Sequence, residues 1–205
     1  YDSVGVAIVN DDIVVYKEKG QVSQLRNLVP VMDGYTGIGH TRWATCGVPS
    51  SENAHPFKSM DGRIALVHNG IIENYLELRK ELMAQGYQFS SQTDTEVVAH
   101  LLDHKLAAGM APLDAFKATL DRLTGAYALA VLIEGEDELI LGARRGSPLV
   151  VGWGEGEMYL GSDALAVGPF TQKISYLEEG DYVAVTRTGA HMFDASGRPA
   201  DRAVV

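Results

Sequence analysis

The chain has 205 residues, 46% of them hydrophobic and 21% charged, enough for one large globular domain with a real core. Its net charge of −10 argues against nucleic acid as the main partner, because phosphate binding needs a basic patch. No apolar run approaches the 18 or so residues of a membrane span, and the single cysteine, Cys46, excludes internal disulfides and fits a reducing compartment. With no basic, apolar leader at Tyr1-Asp2-Ser3, a cytoplasmic protein with no membrane association is expected.

In chain order, residues 4–19 read as a β-hairpin, two apolar runs around the turn signal Asn10-Asp11-Asp12. Val22, Leu25 and Leu28-Val29 predict a short helix that Pro30 ends. A strand and its loop occupy 36–45, irregular chain 46–62 and a strand 63–68. Helical periodicity then covers 73–85 (Tyr75, Leu78, Leu82) and 93–108, where Thr93 and Glu96 have capping-box spacing. A third helix starts at Pro112, with Leu113, Phe116, Leu120 and Leu123 as its stripe. After Gly125 come seven short β-like runs at hairpin spacing: 126–133, 138–143, 148–153, 158–162, 173–177, 182–186 and 191–193. Strands, then helices, then strands predict an α+β fold with largely antiparallel sheets. No linker or repeat interrupts it, so one domain over 1–205 is expected.

Three stretches carry chemistry, each beside a predicted strand end or helix start. In His40-Thr41-Arg42-Trp43-Ala44-Thr45, Arg42 and Trp43 are either a stacked core pair or a carboxylate clamp, since a guanidinium fork matches a carboxylate. In His68-Asn69-Gly70, Asn69-Gly70 is either a hairpin turn or a pair of donors for an oxyanion. In Ser91-Gln92-Thr93-Asp94-Thr95-Glu96, Asp94 is either a first-turn acid favoured by the helix dipole or an anchor for an ammonium group. His100 and His104 have zinc-ligand spacing, but Leu101 stands where the metalloprotease glutamate belongs and no third ligand is evident. Gly152 to Gly156 is a turn, because no helix follows its G-x-G. Cys46 is a small buried side chain or a nucleophile, with His40, His55 or His68 as its base.

Joined in order, these pieces form longer motifs. His40 to Ser50, Asn53-Ala54-His55-Pro56, Val67 to Asn74, Thr93 to Val97, Gly125-Ala126-Tyr127, Ala143 to Val150 and Leu177 to Asp181 together resemble the glutaminase domain of the glucosamine-6-phosphate synthase family. These synthases are class II glutamine amidotransferases, and the resemblance runs end to end. It implies an N-terminal-nucleophile (Ntn) hydrolase sandwich, two antiparallel sheets between helical layers. It also implies hydrolysis of L-glutamine to glutamate and ammonia. The ammonia then aminates fructose 6-phosphate to glucosamine 6-phosphate in an isomerase domain outside these 205 residues, through which a homo-oligomer could form.

Carried over by residue, Arg42 would bind the glutamine α-carboxylate and Asp94 its α-ammonium. Asn69 and Gly70 would form the oxyanion hole, and Trp43 and Thr45 would shape the pocket. Cys46, where the family more often has histidine, would sit at the pocket edge. No metal or organic cofactor is implied. The family's nucleophile is an N-terminal cysteine, activated by its own α-amine. That cysteine, the first strand and helix, and a second substrate-contacting arginine all precede the match to Tyr1. The 205 residues are therefore expected to be part of a longer protein and inactive alone. The competing readings are a glutamine- or glutamate-binding module without catalysis, a related amidotransferase with another acceptor, and a thiol hydrolase using Cys46.

Overall fold

Asp11 takes a left-handed backbone conformation (φ 59°), which closes the tight turn between β1 (Ser3–Asn10) and β2 (Asp12–Lys19). A computed structural model describes residues 1–205. The five-residue helix α1 (Val22–Arg26) follows and packs on this hairpin, and β3 (Thr36–Arg42) pairs with the other edge of β1. The chain ahead of β5 is irregular apart from β4 (Phe57–Lys58), which pairs with β5 (Ile64–Ile72). Then come α2 (Tyr75–Ala84), α3 (Glu96–Ala107) and α4 (Pro112–Leu120), followed by β6 (Gly125–Ile133) and β7 (Ile140–Arg145). The rest is β8 (Val150–Trp153), β9 (Met158–Gly161), the four-residue α5 (Ala164–Val167), β10 (Ile174–Tyr176), β11 (Tyr182–Thr186) and β12 (Gly189–Phe193).

The strands form two antiparallel layers. One is a six-stranded sheet in the order β12-β11-β7-β6-β5-β4. The other is divided into the sheets β2-β1-β3 and β10-β8-β9. The period-2 alternation of strands sorts the side chains. Ile64, Leu66 and Ile72 of β5, with Leu129, Val131 and Ile133 of β6, meet Leu78, Val98, Leu102 and Phe116 of the helices in the main core. Ala65, Val67 and Leu132 point the other way, onto Ala7, Val9 and Ile38. Ala128, Val183 and Val185 share that second face and cover Leu149 and Val151. A sheet buried on both faces reads as near-continuous apolar runs, as 64–67 and 128–133 do. β3 and β9 are each the edge of their own sheet. They face one another across a cleft of about 380 Å³ floored by Val67, Asn69, Ala128 and Ala130.

Two local expectations are corrected. Asn69-Gly70 is no turn: β5 runs through it, with nine consecutive residue pairs to β6 from Ile64↔Ile133 to Ile72↔Gly125. The Thr93/Glu96 capping box does not form, because α3 starts later. The Glu96 carboxylate instead accepts the backbone N–H groups of Ser90 and Ser91 and the ring of His100.

Candidate active site

The ends of β3 and β5 and the loop ahead of α3 converge on a pocket of about 340 Å³, at the small end of the range for ligand sites. Arg42, Trp43, Thr45, Asn69, Gly70 and Asp94 all line it, with His40, His68, Thr93 and Thr95. Cys46 does not. Its thiol lies behind the loop, 3.4 Å from the Gln92 carbonyl and 3.6 Å from the Tyr75 hydroxyl. It makes no hydrogen bond to an imidazole there, so the pairing that a Cys46 nucleophile needs is not present.

Arg42 is only 4% exposed, whereas Trp43 is 74% exposed, so the two do not form a stacked core pair. The Arg42 guanidinium instead gathers the loop that follows it, donating to the carbonyls of Cys46, Gly47 (3.1 Å) and Val48 (3.5 Å). A guanidinium has five N–H donors, and these bonds use three. Burial lowers the Arg42 pKa, opposed first by Asp2 and also by Asp94.

Asp94 precedes α3 rather than sitting in its first turn. Its Oδ2 accepts the N–H of Ile72 at 2.7 Å, and its Oδ1 has only a long contact, 3.5 Å, with the Thr95 hydroxyl. This 4%-exposed carboxyl group thus keeps acceptor capacity toward the pocket.

His68 and Asn69 lie on opposite faces of β5. His68 reaches Thr95 Oγ1 at 2.9 Å and the Ala126 carbonyl at 3.3 Å on the helix side. Asn69 reaches across to β3, where its Oδ1 meets His40 Nε2 at 2.8 Å. His40 stacks on His55 with ring centroids 4.0 Å apart, and His55 Nδ1 accepts the His68 N–H at 3.2 Å. Burial lowers all three pKa values, that of His40 to about 4, so the cluster is neutral at pH 7. In the sequence His40 and His68 stand in the stretches that carry chemistry and His55 in a family motif, but the only role it suggests for their rings is as base for Cys46. Their contact with Asn69 joins two sheet layers, and no local pattern encodes it.

Gly70 has φ +123°, and a Cβ there would collide with the Ala126 carbonyl, so position 70 requires glycine. His100 and His104 form no metal site: His100 is buried against Glu96, and no group of three or more His, Cys, Asp or Glu side chains is arranged to hold an ion.

A cation, an anion and a strand-end amide converging in one pocket is the arrangement expected for a zwitterionic amide. Residues 40–168 match the glutamine amidotransferase domain model. The chain belongs to the glutamine amidotransferase domain family. It is 60% identical over its whole length to a glutamine–fructose-6-phosphate aminotransferase (isomerizing) from Caulobacter vibrioides. It is 52% identical over 98% of its length to one from Mesorhizobium japonicum. It covers 34% and 33% of those proteins, so the chain spans about a third of the length of these curated relatives. Among solved structures, glutamine phosphoribosylpyrophosphate amidotransferase from B. subtilis superposes with a TM-score of 0.80 at 26% identity, over 97% of this chain and 44% of that one. A glutamine aminotransferase class-II domain protein from Silicibacter pomeroyi, at 18% identity and a TM-score of 0.69 over 93% and 90% of the two chains, shares the fold. The Ntn-type amidotransferase sandwich is therefore the fold of this chain, and its family is one of glutamine amidotransferase enzymes.

Proposed function

We propose that this pocket binds L-glutamine and that the 205 residues are the glutaminase domain of a longer enzyme. The observation that carries the proposal is the convergence of Arg42, Asp94 and Asn69-Gly70 on one small cavity. Arg42 offers its two uncommitted N–H groups to the α-carboxylate, a charge-assisted pairing. Asp94 Oδ1 takes the α-ammonium. The Asn69 NH2 and the Gly70 N–H face the oxygen that turns negative when the side-chain amide is attacked, where fixed donors stabilise the transition state. Trp43 and Thr45 form the rim. Cys46 supports it from behind, through the carbonyl that Arg42 holds.

The ammonia released is used to aminate fructose 6-phosphate, giving glucosamine 6-phosphate, in a part of the protein outside these residues. Support comes from the relatives, whose names state a fructose-6-phosphate aminotransferase and whose identity to this chain reaches 60%. Glutamate release from L-glutamine by the full-length protein tests the reading. Expected are activity in the wild type, a kcat loss of about 10²–10³ in Asn69→Ala and a raised KM in Arg42→Ala. An Asn69→Ala protein with wild-type kcat would overturn the oxyanion assignment, and an unchanged KM in Arg42→Ala would overturn that of the clamp.

A further inference from the structure

The Asn69 side chain makes one hydrogen bond within the chain, its Oδ1 accepting from His40 Nε2. An amide oxygen only accepts, so Nε2 carries the imidazole proton and Nδ1 is a bare lone pair. His40 Nδ1 is sealed from solvent and has no partner. Moving the proton to Nδ1 would bury an orphaned N–H donor and set the Nε2 lone pair against Oδ1. The amide would then turn over, giving its NH2 to the ring and its oxygen to the pocket. The tautomer of His40 therefore decides which end of Asn69 faces the ligand.

We propose that His40 is a positioning residue that holds the Asn69 amide with its NH2 directed into the glutamine pocket. The inference rests on the reading of Asn69 as an oxyanion donor and assigns the residue that orients it. The ring of His40 is held in turn. It lies at 19° to His55, and His55 packs its edge on Phe57 at 4.8 Å and accepts the His68 N–H. His40 pairs with Gly5 in β1, where a Cβ would run into the His55 carbonyl, so a glycine at 5 keeps the stack close. The neutral state of the imidazole at pH 7 gives the tautomer its meaning, since an imidazolium would donate from both nitrogens. His40 and Asn69 also line both the pocket and the cleft between β3 and β9, so their contact forms part of the wall between the two.

The test is a double-mutant cycle on glutamate release by the full-length protein, with thermal melts to verify folding. His40→Phe keeps an aromatic ring on His55 but removes the donor. His40→Gln restores an NH2 that can reach Asn69 Oδ1. His40→Phe is expected to lower kcat about tenfold or more, with KM within about twofold. His40→Gln is expected to recover most of the loss, and His40→Phe/Asn69→Ala to be no slower than Asn69→Ala alone. Wild-type kcat in His40→Phe, an equal loss in His40→Gln, or losses that multiply in the double variant would each overturn the inference. Should His40→Phe not fold, His40→Leu takes its place in the cycle with the same expectations. If Asn69→Ala itself keeps full kcat, the oxyanion reading fails and the role of His40 falls with it. If Asn69→Ala is slow while His40→Phe is not, the inference about His40 alone fails.

Discussion

The Asp94 carboxylate accepts the backbone N–H of Ile72 at 2.7 Å, tying the loop ahead of α3 to the end of β5. One oxygen of the proposed ammonium anchor thus holds the scaffold, and the other is left for a ligand. Two substitutions separate these tasks. Asp94→Ala leaves a buried N–H unsatisfied and is expected to cost about 1–3 kcal/mol in stability. Asp94→Asn keeps an acceptor for Ile72 but loses the charge. It is expected to melt close to wild type while the KM for glutamine rises about tenfold or more, the loss of a charge-assisted contact. Calorimetry and glutaminase kinetics check the pair. An Asp94→Asn protein with unchanged KM would remove Asp94 from the site.

Arg42→Lys should be disruptive although it preserves charge. A lysine has three donors on one atom and cannot span the carbonyls of Cys46, Gly47 and Val48 as the guanidinium does. The expected outcome is a stability loss of about 1–3 kcal/mol together with a raised KM. Thermal melts and kinetics that both match wild type would contradict the geometry.

Gly70→Ala and Gly86→Ala form an informative pair. Both glycines have positive φ, +123° and +94°. A Cβ at 86 meets nothing within 4 Å, whereas one at 70 runs into the Ala126 carbonyl. Gly86→Ala is expected to cost about 1 kcal/mol of backbone strain. Gly70→Ala should cost more and also depress kcat, by displacing β5 beside Asn69. Denaturation midpoints and kcat for the two variants give the comparison, and equal effects would contradict it.

The His40, His55 and His68 cluster predicts a weakness toward acid. Burial lowers each folded-state pKa below the usual 6.5, that of His40 to about 4. Between those values the unfolded chain binds more protons than the folded one. Their contribution to stability is therefore fully present above pH 6.5 and is lost as pH falls toward 4. The slope is at most about 1.4 kcal/mol per pH unit for each histidine. Melting temperature should fall between pH 7 and pH 5, and His40→Gln should flatten part of that fall. A pH-independent melt across this range would contradict the burial of the cluster.

Much of this architecture is legible in the sequence for definite reasons. The turn at Asn10-Asp11-Asp12 announces the β1–β2 hairpin. The stripe Leu113, Phe116 and Leu120 gives α4, and Pro112 its start. Asn69-Gly70 misleads, since the dipeptide that favours hairpin turns lies inside a strand fixed by its pairing with β6. Thr93 and Glu96 mislead in the same way, because Glu96 is used to hold Ser90 and Ser91. The four-residue α5 is too short to show periodicity. For the site, residue type singled out Arg42, Asn69 and Asp94, and the fold brings all three to one cavity. That Cys46 lies behind this cavity, and that His40 reaches Asn69 from a strand in another sheet, depends on how the layers pack.

The most direct measurement of whether this is a glutamine site is discrimination between charge-deleted substrates by the full-length protein. One analogue lacks the α-ammonium (glutaramic acid), and the other lacks the α-carboxylate (4-aminobutanamide). The wild type should strongly prefer glutamine to both. Asp94→Asn should lose its preference against the first analogue only, and Arg42→Ala against the second only. Losses spread equally over both analogues in either variant would contradict the assignment of these two residues to the two charged ends of the substrate.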